Sequence, residues 1–239
     1  MRKVFKKIHL LLAIPTGIII SIVCFTGALM AFDELLRPLW AGWPDVYRFL
    51  MSIHRWMLDP SRTVGKLVVG ICTVAFVVIL ISGLFIWLPR RWKKWRNHFT
   101  IKSNKGFSRF LFDSHRIIGV YTILMLLLLS LTGLMWSFEG YRNAVFSVVK
   151  VDRVPDRVAI TYRTNRETGK EMRIDFNEAT PERKVMRWAY LLHTGRWGGW
   201  FGPLLTGTTA LLGASLPITG YVIYFRRLRR RKTNGKRKE

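Results

Sequence analysis

Acid, cysteine and histidine are all scarce in this sequence. Its 239 residues hold 14 Asp and Glu against 39 Lys and Arg, for a net charge of +25, yet half are hydrophobic. A disordered chain carries such charge with little apolar content, and an ordinary soluble domain carries neither extreme together. Only Cys24 and Cys72 are present, both inside apolar runs. They read as small packing residues and imply no disulfide framework. No glycine-rich phosphate loop of the G-x-G-x-x-G or P-loop kind occurs, so no nucleotide or flavin motif is present. Gly195-Arg196-Trp197-Gly198-Gly199 reads instead as a surface turn.

What is abundant is apolar sequence in long blocks. Four runs, roughly 9–31, 66–88, 116–138 and 204–225, are each about 20 residues or longer, enough to cross a bilayer. Basic charge points to nucleic acid only on a folded soluble surface. Here it flanks the apolar runs, so the expected partner is the lipid bilayer and not nucleic acid. Met1-Arg2-Lys3 also fits the start of a signal peptide. The first run exceeds a usual signal core and pairs with the third, so it is expected to be retained.

The charges sort the loops. The N-terminus, the 89–115 loop with Arg116, and the tail after 225 hold 22 bases and only two acids, Asp113 and Glu239. The positive-inside rule places these segments in the cytoplasm. The predicted order is a first span at 1–32, a periplasmic aromatic loop at 33–65, and a second span at 66–88. A cytoplasmic basic loop at 89–115 and a third span at 116–138 follow. A periplasmic loop at 139–203, a fourth span at 204–225 and a cytoplasmic basic tail at 226–239 complete it. The basic tail reads as a topology anchor, with anionic lipid binding as the alternative.

The spans repeat. An offset of 106 lays His9 on His115, Thr16 on Thr122, Gly27 on Gly133 and Asp33 on Glu139. An offset of 137 lays Gly65 on Gly202, Gly70 on Gly207, Ser82 on Thr219 and Gly83 on Gly220. The fold class is therefore an all-α membrane protein, a four-helix bundle made from a duplicated helical hairpin. Within 139–203, the alternating stretches 158–163 and 171–176 predict a β-hairpin around Asn165–Gly169. Thr180-Pro181-Glu182 predicts the start of a helix running to about His193.

Four of the five histidines fall at repeat-related places. His9 and His115 open spans at the cytoplasmic face, and His54 and His193 precede spans at the outer face. The outer two miss register by two residues. Two imidazoles fill both axial positions of a haem iron, which suits electron transfer. Zinc is disfavoured because neither face offers enough further Cys or His for a tetrahedral site. Interfacial anchoring is the structural alternative for each. His98 has no repeat partner and is the reserve ligand if His9 or His115 fails. Arg55, Arg116 and Arg196 follow the histidines and are candidate partners for haem propionates, since Arg grips carboxylates in two-point contacts.

Lys7-Ile8-His9 leading to Thr26-Gly27, the stretch Asp113-Ser114-His115-Arg116-Ile117-Ile118-Gly119, and Leu192-His193-Thr194-Gly195 leading to Thr219-Gly220 and Arg226-Arg227 carry a resemblance. In this combination the chain resembles the PepSY-associated transmembrane-helix family of bacterial, often iron-regulated, inner-membrane proteins. The hairpin looks like a reduced PepSY element. The resemblance implies two haem b groups, electron flow across the inner membrane and reduction of a periplasmic ferric siderophore. A cytoplasmic donor, flavin reductase-like, or quinol would supply the electrons. Trp40, Trp43, Arg48, Trp197 and Trp200 are the candidate docking surface, with an interfacial belt as their alternative. A homo-oligomer is compatible with all of this. The rival classes are a cofactor-free membrane anchor or accessory subunit for a transport or assembly partner, and a quinol-linked haem b oxidoreductase.

Overall fold

The computed structural model describes residues 1–40, 45–88, 106–164 and 171–235. In chain order its elements are α1 (Arg2–Ala31), α2 (Asp33–Leu36), a 3-10 turn at Arg37–Trp40, α3 (Val46–Trp56), α4 (Val64–Trp87) and α5 (Phe107–Ser137). Then come α6 (Glu139–Val148), α7 (Asp156–Ala159), β1 (Ile160–Thr164), β2 (Glu171–Asp175), α8 (Pro181–Thr194), a 3-10 turn at Arg196–Gly198, and α9 (Phe201–Gly235). Among the described residues, helices α1, α4, α5 and α9 are long and apolar enough to cross a membrane.

A bilayer leaves no water to satisfy backbone groups, so an apolar run of this length must bond internally as a helix. This explains why Pro15 and Pro217 sit inside α1 and α9 without ending them. The helices also outrun the apolar runs. α5 starts at Phe107 rather than near 116, and α9 continues past 225 to Gly235. Hydropathy marks the apolar middle of a helix, whereas its charged ends stay helical because Arg and Lys are good helix formers.

The four spans form a ring. α1 packs on α4 and α9, and α5 packs on the same two. Four crossings put both chain termini at one end, here the terminal end; the opposite end is the far end. Ile20, Phe76, Ile79, Ile123, Leu126 and Leu216 fill the centre from all four helices. Gly213 lets the helices close up there, since a Cβ on it would stand 2.8 Å from Leu126 Cδ2.

The repeat read from sequence is visible as packing. Phe32, at the end of α1, lies against Gly207 of α9, and its counterpart Phe138 lies against Gly70 of α4. A Cβ would stand 2.6 Å and 2.7 Å from the two rings, so only glycine leaves room. Each half therefore plugs an aromatic ring into the other. The register gap of two residues is absorbed in a connection. Gly65 lies under the carbonyl of Trp56, and Gly202 under that of Gly195, each carbonyl two residues after its histidine. Residues 57–64 span one gap and the shorter 196–201 the other. The longer connection turns through Met57, Leu58 and Arg62 at positive φ.

The far end carries the remaining elements. β1 and β2 pair antiparallel, with Thr161 opposite Ile174, while the expected turn 165–169 lies outside the described residues. α8 opens on Pro181 and ends at Gly195 in the left-handed conformation. Met135 of α5 packs with Val185 and Ala189 of α8, which seats this insertion on the bundle.

Candidate functional site

All four repeat-related histidines lie in the same kind of cradle. Nδ1 of His9 donates to the Ile79 carbonyl (3.0 Å) and to Ser82 Oγ (3.1 Å). Nδ1 of His54 donates to the Val23 carbonyl (2.9 Å) and to Thr26 Oγ1 (3.2 Å). Nδ1 of His193 donates to the Leu129 carbonyl and to Thr132 Oγ1, both at 3.0 Å. Nδ1 of His115 donates to Thr219 Oγ1 at 2.8 Å, with Leu216 as its backbone partner.

These partners fix the tautomer. A carbonyl only accepts. Each hydroxyl spends its own hydrogen on its helix, as Ser82 does on the Ile79 carbonyl (2.9 Å) and Thr219 on the Leu216 carbonyl (2.9 Å). Thr26 and Thr132 donate in the same way to the carbonyls of Ile22 and Leu128. The proton therefore sits on Nδ1 in all four rings, and the Nε2 lone pair is free. That is the form in which imidazole binds a metal, with its other nitrogen held by a backbone carbonyl.

A glycine follows each hydroxyl residue and lets the ring lie close on the helix. Space is tightest at the far end, where a Cβ on Gly27 or Gly133 would stand 3.0 Å or 3.2 Å from the Cε1 of His54 or His193. At Gly83 and Gly220 the corresponding distances to His9 and His115 are 3.4 Å and 3.5 Å.

The rings pair across the two halves. His54 and His193 have ring centroids 6.2 Å apart and Trp136 stands 5.6 Å from His193. Two imidazoles on one metal, with bonds of about 2 Å each, put their centroids roughly 6 Å apart. The far-end pair has that spacing. His9 and His115 are electrostatic neighbours at the terminal end. Each half thus contributes one cradled ring to each end. Among the described residues no three His, Cys, Asp or Glu cluster as a metal-ion site. The donor set fits a group that brings its own equatorial ligands. An apolar groove of 410 Å³, lined by Phe25, Thr26, Leu29, Leu50 and Ile53 among others, lies beside His54.

At the far end, burial pushes the two imidazoles down to about 4, helped at His54 by the neighbouring His193 and Arg55, and at His193 by Arg55. Arg55 is the candidate cation whose field reaches both rings. Its guanidinium lies 4.8 Å from the Trp56 ring, and Arg62 lies 4.7 Å from the same ring. Arg196 is exposed, 5.8 Å from the Tyr190 ring. Arg116 has a different setting: its guanidinium meets the fully buried Asp113 at 3.2 Å, and Arg109 meets the other carboxylate oxygen at 2.9 Å.

The expected docking surface is scattered. Arg48 is paired with Asp45 at 3.2 Å. Trp197 packs with Val154, Ala159 and Leu191, and its carbonyl accepts from Arg157. Trp200 is 80% exposed. Trp43 and His98 lie outside the described residues, as does the side chain of Trp40.

Sequence reasoning missed the roles of Thr26, Ser82, Thr132 and Thr219. The signal was present, since four histidines come with four hydroxyl–glycine pairs: Thr26-Gly27, Ser82-Gly83, Thr132-Gly133 and Thr219-Gly220.

The chain matches no curated protein. The family model described as PepSY-associated TM region matches residues 35–227.

Proposed function

The chain belongs to the PepSY-associated TM family, and from that premise we propose a di-haem b electron-transfer protein of the bacterial inner membrane, acting as a ferric-siderophore reductase. The observation that carries the proposal is the set of four cradled imidazoles, each with Nδ1 tied to a neighbouring helix and Nε2 free, paired across the two halves.

The four imidazoles would hold haem b, which would supply one-electron transfer when bound. His9 and His115 would hold one such group at the terminal end. His54 and His193 would hold the other at the far end. Along α1, His9 and Thr26 are 17 residues apart, as are His115 and Thr132 along α5, or about 25 Å of helix. The two ends are therefore held apart by rigid rods of equal length. Between them Ile20, Phe76, Leu126 and Leu216 exclude water from the bundle centre. Asp113 ties down Arg109 and Arg116, the residue after His115, at the same end of the bundle.

The basic residues concentrate at the terminal end, which supports a cytoplasmic location for both termini. With no nucleotide or flavin motif in the chain, a separate donor, flavin reductase-like or a quinol, supplies the electron. The acceptor is ferric iron in a siderophore at the far end. Adding one electron gives ferrous iron, which hard oxygen donors hold less tightly, so the metal is released.

The test is haem quantitation with redox difference spectra on purified wild type and the four single His→Ala variants. Two haems per chain are expected, with His9→Ala and His115→Ala losing one species and His54→Ala and His193→Ala the other. Protein without haem bands, or unchanged haem in all four variants, overturns the reading in favour of a cofactor-free membrane module.

A further inference from the structure

Arginines at the far end differ in what they face. Arg48, Arg142, Arg153 and Arg173 each face a carboxylate at 3.4 Å or less: Asp45, Glu139, Asp156 and Asp175. Their charge is compensated locally. Arg55, Arg62, Arg187 and Arg196 have no carboxylate at ion-pair distance among the described residues and lie against aromatic rings instead; of these, Arg187 is also tied down by the Val158 carbonyl. The carboxylate nearest Arg62 in sequence, Asp59, is occupied by Ser61 and the Gly65 amide. Arg55 and Arg62 share the Trp56 ring, so two like charges are held together, neither at ion-pair distance from a carboxylate among the described residues.

Arg55 of this group borders the far-end histidine pair, and its field reaches both rings. Arg55 follows His54, and Arg196 lies three residues after His193. Tyr47 lies within the fields of Tyr190, Arg196 and Asp33, which brings the start of α3 and the end of α1 to the end of α8. A guanidinium resting on a ring still has an open face and free N–H donors, so it can take a planar aromatic anion by stacking and by charge-assisted hydrogen bonds.

We infer that Arg55, Arg62 and Arg196, with Trp56 and Tyr190, form the recognition site for a polyanionic ferric chelate of the catecholate class. The inference rests on the proposed reductase function and names its substrate class. Charge complementarity selects the anion, and the ring-stacked cations select planar aromatic oxygen donors over aliphatic hydroxamates. The site borders the histidines that would pass the electron on.

A redox-inert probe separates recognition from reduction. Wild type in nanodiscs of uncharged lipid is titrated calorimetrically with a gallium(III) tris-catecholate, a trianion, and with an uncharged gallium(III) trihydroxamate. Wild type is expected to prefer the trianion by about 30-fold, from two or three charge-assisted contacts. Arg55→Gln/Arg62→Gln/Arg196→Gln should bring the two affinities within about threefold. The single exposed variants Arg62→Gln and Arg196→Gln should each lose part of the preference, and Arg173→Gln none. Equal binding of both probes by wild type, or an unchanged preference in the triple variant, overturns the inference. So does loss of haem from the triple variant, which would assign the arginines to propionates. Wild type that prefers the trianion but holds no haem would leave this inference standing and sink the reductase.

Discussion

The two histidine pairs solve one problem in different ways. At the terminal end, His9 and His115 belong to the spanning helices themselves. Each reaches sideways to the next span of its own half, α4 or α9. At the far end, His54 and His193 stand on short helices outside the spans and lean back onto α1 and α5. The first arrangement is set by where a long helix begins. The second depends on how a loop returns, and Gly65 and Gly202, pressed under backbone carbonyls, fix that return. The same cradle chemistry thus serves both ends, although the helices that carry the rings differ.

The largest effect should come from the rings. With the two proposed haems bound, His193→Ala should remove about half the haem and leave the terminal-end species spectroscopically intact, while His115→Ala should do the reverse. Loss of both species from either variant would mean that the two ends are not independent sites.

Next in size is the fit of ring on helix. A methyl at Gly133 must push His193 aside, whereas one at Gly220 meets ordinary contact with His115. Overpacking of this kind costs about 1–3 kcal/mol. Gly133→Ala should therefore weaken far-end haem affinity about tenfold or more, and Gly220→Ala terminal-end affinity by less than about threefold. Equal effects in a haem-transfer competition assay would erase the distinction between the ends.

A smaller effect comes from the hydroxyls. Thr132→Val leaves His193 the Leu129 carbonyl but removes one acceptor worth about 0.5–1.5 kcal/mol. Weaker support of Nδ1 makes the imidazole a poorer donor to ferric iron. The far-end midpoint potential should rise by about 20–60 mV in a redox titration. Thr219→Val tests the terminal end, where the Thr219 contact is the shorter one at 2.8 Å. A fall in either potential would contradict the assigned tautomer.

The smallest effect concerns pH and belongs to the far end. Burial holds His54 and His193 at about 4, below the ordinary 6.5. In protein prepared without haem, the unfolded chain takes up these protons first. Stability present above about 6.5 is therefore lost as pH falls toward about 4. Thermal unfolding should lose a few degrees across this window, and the His54→Gln/His193→Gln variant should lose less. Parallel curves would show that these rings stay solvated.

The fold was legible because a membrane span leaves a simple record. Twenty apolar residues, basic flanks and two offsets were enough to give four helices and their duplication. The terminal-end histidines were legible for the same reason, since they ride on the repeated helices. The far-end pair was harder. Its histidines are set by a connection two residues longer in one half, and sequence offsets cannot show that Trp56 and Gly195 occupy equivalent places. The cradles were in view as hydroxyl–glycine pairs but read as close packing. Only the fold shows which ring each pair receives, because the partners lie many residues away. The docking residues were the least legible. Tryptophans near a membrane surface look alike in sequence, whether they pack like Trp197 or stand free like Trp200.

The exchange of aromatic rings between the halves bears on how the protein is made. Synthesis supplies Gly70 before Phe138, so one plug can seat as soon as α5 is inserted. Phe32 leaves the ribosome early, but its recess at Gly207 belongs to the last span. The Thr219 partner of His115 also arrives with that span. Until α9 enters the membrane, the bundle is an open arc with unfilled edges along α1 and α5. Completion is therefore a late closing event, and a ribosome that stalled before α9 would leave a chain with one seam shut and the other open to lipid.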